Sequence, residues 1–106
     1  MSPTIVAPFR ADFRPVAVTE FREHTGRVDT QSATGCSIRS RYRVEPGTTL
    51  ELRVYLPGAH WPVCVQRADV IGSHWGEFTV EFRDLSIRDQ DQLQRCLVDA
   101  LALAAA

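Results

Sequence analysis

Two arginines four residues apart, Arg10 and Arg14, precede a motif of small residues that reads Thr30-x-Ser32-x-x-Gly35. A guanidinium is a planar fork of donors, which matches the oxygens of a phosphate and the N7 and O6 acceptors of a guanine. A serine hydroxyl adds a small donor and acceptor, and a glycine lets the backbone approach a ligand closely. These residue types in this order predict a site for an anionic, guanine-bearing ligand.

The two arginines are expected on an extended or turning arm. Pro3, Pro8 and Pro15 keep the first residues out of a helix, and each proline favours extended geometry at the residue before it. We therefore expect residues 1–8 to form a flexible N-terminal segment. Residues 9–106 are expected to form a single domain, because a chain of this length rarely holds two.

The charge distribution favours a local anion site. The net charge is −1, and all 12 basic residues are arginine. Residues 1–43 hold seven arginines against four acids, and residues 44–106 hold five against nine, so the two parts carry +3 and −4. A genome that favours arginine codons explains the absence of lysine but not where the charges fall. The small net charge predicts no general attraction to nucleic acid polymers or to membranes.

The sequence predicts a cytoplasmic protein with reduced thiols. An odd number of cysteines at wide spacing, Cys36, Cys64 and Cys96, fits neither a disulfide framework nor a zinc site. The N-terminus has no basic leader followed by a long apolar stretch. The longest apolar run, residues 97–106, is far shorter than the roughly 20 residues that cross a membrane.

Neither an enzyme nor a metal protein is predicted. His24, His60 and His74 lack metal-ligand spacing, and no serine or cysteine has a recognisable nucleophile context. Glu77 and Glu81 fall on the outward side of one predicted strand, where solvated charges are expected. We therefore expect no cofactor.

Alternating apolar and polar residues predict a mainly β fold with five or six antiparallel strands. Short strands with proline and glycine turns between them favour a small barrel or sandwich. A turn is expected at residues 24–26 and a loop at residues 72–76. The strands are expected between about residues 15 and 82, over 15–21, 27–30, 36–44, 48–56, 62–71 and 77–82.

The C-terminal residues change to a helical period. Ser86 and Asp89 resemble a capping box, which marks a helix N-terminus. A helix is therefore predicted over about residues 87–103, and its apolar stripe is expected to cover one end of the barrel. The stripe consists of Leu93, Cys96, Leu97, Ala100 and Leu101.

With these residues placed, the chain resembles the PilZ domain family, whose signature is an R-x-x-x-R arm followed by [D/N]-x-S-x-x-G. The first pair of arginines matches the arm, and Ser32 and Gly35 match the second motif. Arg39 falls where some members carry a further ligand arginine. The strand and turn patterns that follow match in order, so the resemblance spans roughly residues 9–102.

The resemblance implies a six-stranded antiparallel β-barrel, the PilZ-like split barrel, with a C-terminal α-helix. It also implies binding of the bacterial second messenger cyclic di-GMP, an unidentified protein partner, and roles in motility, biofilm formation or virulence. A monomer or weak dimer is expected. The implied ligand-binding residues are Arg10, Arg14, Thr30, Ser32, Gly35, Arg39 and Trp75.

One position departs from the signature. Thr30 stands where the family has aspartate or asparagine, which removes an acceptor for the N–H donors of guanine. The loss of such a contact weakens binding by about 1–3 kcal/mol. Asp29 is one residue away, and in a regular strand it points to the opposite face. A β-bulge would bring it back.

The same residues also have structural interpretations. The arm arginines can be solvated surface charges, and the serine and glycine an ordinary bulge. Arg39 can belong to an exposed stripe with Arg41 and Arg43, and Trp75 can cover the core.

Three functions follow from these alternatives. In the first, the ligand draws the arm onto the barrel and changes the surface shown to a partner. In the second, a degenerate PilZ-like adaptor does not bind the nucleotide and acts through protein contacts in motility or type IV pilus function, with an apolar patch around Ile5, Val6 and Phe9. In the third, the arginine stripe binds single-stranded nucleic acid, with Tyr42 and Tyr55 nearby.

Overall fold

The computed structural model describes residues 5–16, 23–56 and 61–105, with side chains for all of these except 5–8, 97 and 99–105. Within these ranges six antiparallel strands close into a barrel in the order β1-β2-β3-β6-β5-β4. The predicted six-stranded barrel with a C-terminal helix is therefore confirmed. The elements are β1 (Ile5–Pro15), β2 (His24–Gln31), β3 (Gly35–Arg39), β4 (Thr49–Val54), β5 (Val63–His74), β6 (Glu77–Leu85) and α1 (Ile87–Ala105).

Alternate strand residues fill the barrel interior. Leu50, Leu52 and Val54 of β4 point inward and are at most 1% exposed, as their alternation predicts. Phe13 of β1 meets Phe78 of β6 edge to face, with ring centroids 5.0 Å apart. Burial of each large apolar side chain stabilises the fold by about 1.5–3 kcal/mol.

The segment predicted as a flexible arm is part of the barrel. β1 pairs with β2 along one edge and with β4 along the other, so Arg10 and Arg14 lie within a strand. Of the segment expected to be flexible, residues 5–8 belong to this strand, and residues 1–4 lie outside the described part. Of the strand expected at 15–21, Pro15 is the last residue of β1 and Val16 lies in a turn, while residues 17–21 lie outside the described part.

Apolar alternation explains why this segment is a strand despite its prolines. Phe9 and Phe13 point inward and are 7% and 1% exposed. Pro8 lies at a register shift in the β1–β2 pairing, and Pro15 is the last residue of the strand. Bulges and strand ends are positions at which a sheet tolerates proline. Because Phe9 is buried, it does not belong to the exposed apolar patch predicted at the start of the chain.

Two strands extend into predicted turns, and one is shorter than predicted. β2 begins at His24, whose ring stacks on that of Tyr42 at 3.5 Å, and β5 continues to His74. β3 ends at Arg39; one more bond, from the Ser40 N–H to the carbonyl of Gly76 at 2.9 Å, continues the pairing with β6 before the chain leaves the sheet. The stripe predicted to follow Arg39 on this strand therefore lies in a connection.

The helix begins with the predicted cap. The Asp89 backbone N–H donates to Ser86 Oγ at 3.1 Å, and the Ser86 hydroxyl donates to Asp89 Oδ2 at 2.8 Å. Leu93 is 2% exposed, and Cys96 packs against the same core. The helix contacts β1 and β5, and the other stripe residues lie outside the described side chains. Among the described residues, no helix has the length and apolar character to cross a membrane.

Candidate functional site

The turn between β2 and β3 carries the small-residue motif and is held by its own side chains. The Ser32 N–H donates to the carbonyl of Gly35 at 2.9 Å, and its hydroxyl lies 3.2 Å from the same oxygen. The buried amide of Gln31 donates to the carbonyls of Ser32 and Gly35 at 2.7 and 3.1 Å. A Cβ added at Gly35 would lie 2.1 Å from the carbonyl oxygen of Val80. Ser32 and Gly35 therefore build the turn itself.

An open groove lies on the outer face of the sheet next to this turn, with a volume of about 380 Å³. Half of its lining residues carry hydroxyl groups, and Ser37 Oγ and Thr79 Oγ1 lie 3.0 Å apart across two strands. Glu81 and the exposed Ile71 also line it. The structure therefore brings the three residues of the predicted second motif together in one concavity.

A β-bulge brings Asp29 to the same face. In the β2–β3 pairing Val28 lies opposite Ile38 and Thr30 lies opposite Ser37, so Asp29 is an extra residue on β2. Such an insertion changes the direction of the bulged side chain. The Asp29 carboxylate lies 3.7 Å from the Arg39 Nε on the outer face.

Arg39 lies on the outer face between two carboxylates. Its Nε is 3.7 Å from Asp29 and 3.7 Å from Glu77, and its side chain is 65% exposed. Exposed pairs with this separation contribute at most about 1 kcal/mol. Its guanidinium is therefore held loosely and stays accessible to an anion.

The other two predicted arginines lie on β1, where Arg10 is level with Arg39 across the sheet and Arg14 is four residues further from the small-residue motif. Val6 of β1 pairs with Thr30, and Arg10 and Arg14 follow Val6 by four and eight residues. At about 3.3 Å per residue these are distances of about 13 and 26 Å along the strand. Arg14 forms an ion pair with Glu51 at 2.6 Å. The structure therefore does not bring Arg14 to the small-residue motif.

Arg10 is held in a cluster with Asp12 and with Tyr55, which directly follows β4. Its guanidinium lies 4.2 Å from the centroid of the Tyr55 ring and 3.5 Å from Asp12. Asp12 also accepts hydrogen bonds from Thr25 at 2.8 Å and from the Tyr55 hydroxyl at 3.1 Å. Hydrogen bonding with Tyr55 and the charge of Asp12 raise the pKa of Arg10 above its ordinary value.

Trp75 lies at the turn between β5 and β6 and is fully exposed, so it does not cover the core. It lines a second concavity of about 410 Å³ together with His74, Arg41 and Arg43. This concavity is separate from the groove at the β2–β3 turn, because the two lie at opposite ends of β3. The structure therefore does not bring Trp75 together with Ser32 and Gly35.

The aromatic residues expected near the arginine stripe are already engaged. The Tyr42 ring stacks on His24 at 3.5 Å, and the Tyr55 ring is covered by Arg10. Stacking platforms for single-stranded nucleic acid need accessible ring faces. This arrangement disfavours the third function predicted from the sequence.

The described residues contain no cluster of three or more His, Cys, Asp or Glu side chains that could hold a metal ion. Burial raises the pKa of the Cys36 thiol to about 12, so this thiol is not ionised at neutral pH.

Sequence reasoning missed two residues of this region. Gln31 is completely buried and closes the turn, and Arg27 lies on β2 directly opposite both Arg10 and Arg39. The alternation of β2 was a signal for the outward direction of Arg27. Its arginine neighbours follow only from the pairing register.

A model of one protein family, described as the PilZ domain, matches residues 9–99. No match was found among curated protein sequences. The structure of the Bacillus subtilis inhibitor of motility (MotI/DgrA) has a TM-score of 0.75 over 96% of this chain at 19% identity. This chain spans about half of that protein, 51% of its length.

Two further structures share the fold. The PilZ domain of Escherichia coli YcgR, solved with c-di-GMP, has a TM-score of 0.74 at 15% identity and covers 97% of this chain and 92% of its own. A tetrameric PilZ domain from Xanthomonas campestris has a TM-score of 0.56 at 27% identity, over 83% of this chain and 52% of its own.

Proposed function

Since this chain is a member of the PilZ domain family, we propose that it binds cyclic di-GMP on the outer face of the β2–β3 turn. Bound ligand then changes the surface that this cytoplasmic protein offers to a protein partner. The observation that carries the proposal is the bulge, which adds Asp29 beside Thr30 and 3.7 Å from Arg39. An acid and a guanidinium thus stand next to the turn despite the departure from the family signature.

Each group has a chemical role in this proposal. The Asp29 carboxylate accepts N–H donors of a guanine with its two oxygens, whereas the Thr30 hydroxyl has only one oxygen. The Arg39 fork binds guanine N7 and O6 or a phosphate. Ser32 and Gly35 act by shaping the turn. Trp75 is given no role at this site, because it lines the separate concavity at the other end of β3.

The energetic requirement is modest. A charge-assisted hydrogen bond contributes about 1.5–3 kcal/mol net, and micromolar affinity corresponds to about 8 kcal/mol. A few such contacts suffice if the protein groups are already in place. The long ion pairs of Arg39 with Asp29 and Glu77 are cheap to exchange for ligand contacts.

The position of β1 changes the expected signalling step. Arg10 and Arg14 already lie in a paired strand, so the ligand is not expected to draw a flexible arm onto the barrel. The signal is instead expected at the groove. There, bound nucleotide covers the outer surface of β2 and β3 and becomes part of the surface that the partner contacts. The structural neighbours named as an inhibitor of motility and YcgR make a motility component a reasonable class of partner.

The test is isothermal titration of cyclic di-GMP into the wild type and three variants. Arg39→Ala is expected to weaken micromolar binding by about tenfold or more. Arg14→Ala is expected to leave binding unchanged, because Arg14 is remote from the turn. Arg41→Ala is the control for the loss of one exposed arginine. Unlike Arg39, Arg41 makes no ion pair among the described residues. Equal losses in Arg14→Ala and Arg39→Ala would support the arm interpretation instead.

A second candidate is an adaptor that does not bind the nucleotide. The observation that favours it is the engagement of both arm arginines with acids on the β1–β4 face, through Arg10–Asp12 and Arg14–Glu51. Absence of heat with the wild type at high micromolar ligand would select this candidate. Asp29→Ala and Thr30→Asp would then show whether the acidic position limits binding.

A further inference from the structure

The strand register places three arginines side by side on the outer surface. Arg10 of β1 lies directly opposite Arg27 of β2, and Arg27 lies directly opposite Arg39 of β3. All three are exposed. Neighbouring strands are about 4.8 Å apart, so the three Cα atoms span about 10 Å. We call this set the arginine row.

The row is electrostatically unfavourable by itself, because like charges directly opposite each other destabilise a sheet. Its two outer members are compensated. Arg10 pairs with Asp12 at 3.5 Å and lies over the Tyr55 ring, while Arg39 lies between Asp29 and Glu77.

Arg27, the central member, is not compensated in this way. Among the described residues it makes no ion pair and no side-chain hydrogen bond. Five N–H donors and a full charge therefore face solvent between two other guanidiniums. Because the charge of Arg27 opposes folding and has no partner among the described residues, Arg27 is suited to bind an anion from outside the protein.

We propose that the arginine row is a phosphate-binding surface and that Arg27 is its principal ligand residue. A phosphate or diphosphate has several acceptor oxygens and can bridge two guanidinium forks on neighbouring strands. An anion at the centre replaces the repulsion between the strands with two attractive contacts. The ligand class is therefore a phosphodiester or diphosphate group rather than a neutral base.

This inference rests on the proposed function where it concerns the nucleotide, because Arg39 belongs both to the row and to the proposed site at the turn. A cyclic dinucleotide with a base at Asp29 then directs a phosphate towards Arg27. Arg14 is too far from the turn to supply a second guanidinium for this ligand. Arg27 of β2 supplies it instead. The row itself, however, can be tested with a simple anion.

The experiment follows the side-chain Nε–Hε resonances of the arginines during titration with inorganic pyrophosphate. The wild type is compared with Arg27→Gln and with Arg41→Gln, which changes an exposed arginine outside the row. Pyrophosphate is expected to shift resonances of the row with saturation, and Arg27→Gln is expected to weaken the affinity by about tenfold. Arg41→Gln is expected to match the wild type.

Thermal unfolding supplies a second measurement that does not need a ligand. Arg27→Gln is expected to raise the Tm at low salt, because it removes like-charge contacts, and the gain is expected to shrink at about 0.5 M salt, where exposed charges are screened. A lower Tm together with unchanged anion affinity would overturn the proposal, since Arg27 would then be a structural surface charge.

The outcomes separate this inference from the proposed function. Pyrophosphate binding that requires Arg27, without any heat from cyclic di-GMP, supports the row and refutes the nucleotide proposal. Cyclic di-GMP binding that is equal in the wild type and Arg27→Gln, with no pyrophosphate shifts, refutes the row and leaves the nucleotide proposal standing. Absence of both refutes both.

Discussion

Gly35 shows how one residue can serve the fold and the candidate site together. Its carbonyl oxygen accepts the hydrogen bonds by which Ser32 and Gln31 close the turn, and its missing side chain lets β3 approach β6. A Cβ at this position would meet the Val80 carbonyl oxygen at 2.1 Å. The glycine in the motif therefore follows from strand packing, before any ligand is considered.

We predict that Gly35→Ala destabilises the protein by about 1–3 kcal/mol, because backbone atoms of β6 must move to admit the methyl group. Gly72→Ala is the matched control, since nothing lies within 4 Å of a Cβ there and its φ is not positive. The control is expected to be neutral or more stable by about 0.4–1 kcal/mol. Urea denaturation measures both. Equal stabilities for the two variants would contradict this account of the turn.

Strand pairing, at the next scale, joins residues that are remote in sequence. Asp69 of β5 accepts a hydrogen bond from Arg83 of β6 at 2.7 Å and another from Thr49 of β4 at 3.1 Å. These two bonds hold the pKa of Asp69 below its ordinary value, and the bond from Arg83 has the larger effect. One carboxylate thus links three strands on the face away from β2.

This lowered pKa predicts a pH dependence of stability. A carboxyl group whose pKa is lower in the folded state stabilises the fold above its unfolded pKa of about 3.9, and this contribution is lost as the pH falls through the folded pKa. Asp69→Asn is therefore expected to be less stable than the wild type at neutral pH, with a difference that shrinks below about pH 4.

Urea unfolding of the two proteins between about pH 7 and pH 3 measures this difference. Asp84→Asn, which removes an exposed carboxylate with no ion pair among the described residues, controls for the loss of one negative charge. A difference between wild type and Asp69→Asn that stays constant over the whole range would refute the coupling.

Elements with strong local signals could be predicted from the sequence. β4 alternates cleanly after a Pro-Gly turn, and the helix begins at the Ser86 cap, as expected. The first strand could not be placed, because Pro8 and Pro15 resemble breaks, although one occupies a bulge and the other a strand end. Local propensity does not reveal that distinction, which depends on the partner strand.

The candidate site was predictable in part for the same reason. The residues of the turn are close in sequence, and the structure keeps Thr30, Ser32 and Gly35 together. The direction of Asp29 depends on a bulge, and the neighbours of Arg27 depend on the pairing register; both are properties of two strands rather than one. Spacing along the chain therefore points to Arg14, four residues after Arg10. The arginine beside Arg10 in the structure is Arg27.

At the scale of the whole molecule, β1 closes the barrel by pairing with both β2 and β4. Phe13 is the residue through which this closure reaches the core. Its ring is 1% exposed and lies within 6.1 Å of the rings of His24, Tyr42 and Phe78. A single closed barrel without free edges is expected to unfold cooperatively, because no strand can leave without exposing this cluster.

Phe13→Ala is accordingly expected to cost about 3–5 kcal/mol, the loss typical of a buried phenylalanine. A domain of this size is stable by only about 5–15 kcal/mol, so Phe13→Leu provides a milder change that stays measurable if the alanine variant does not fold. Val16→Ala, which alters a side chain that is 49% exposed just after the strand, is expected to change stability by less than about 0.5 kcal/mol. Chemical denaturation followed by far-UV circular dichroism measures all three. If residues 10–14 formed a flexible arm outside the barrel, Phe13→Ala and Val16→Ala would be equally harmless, and the position of both arginines relative to the turn would have to be reconsidered.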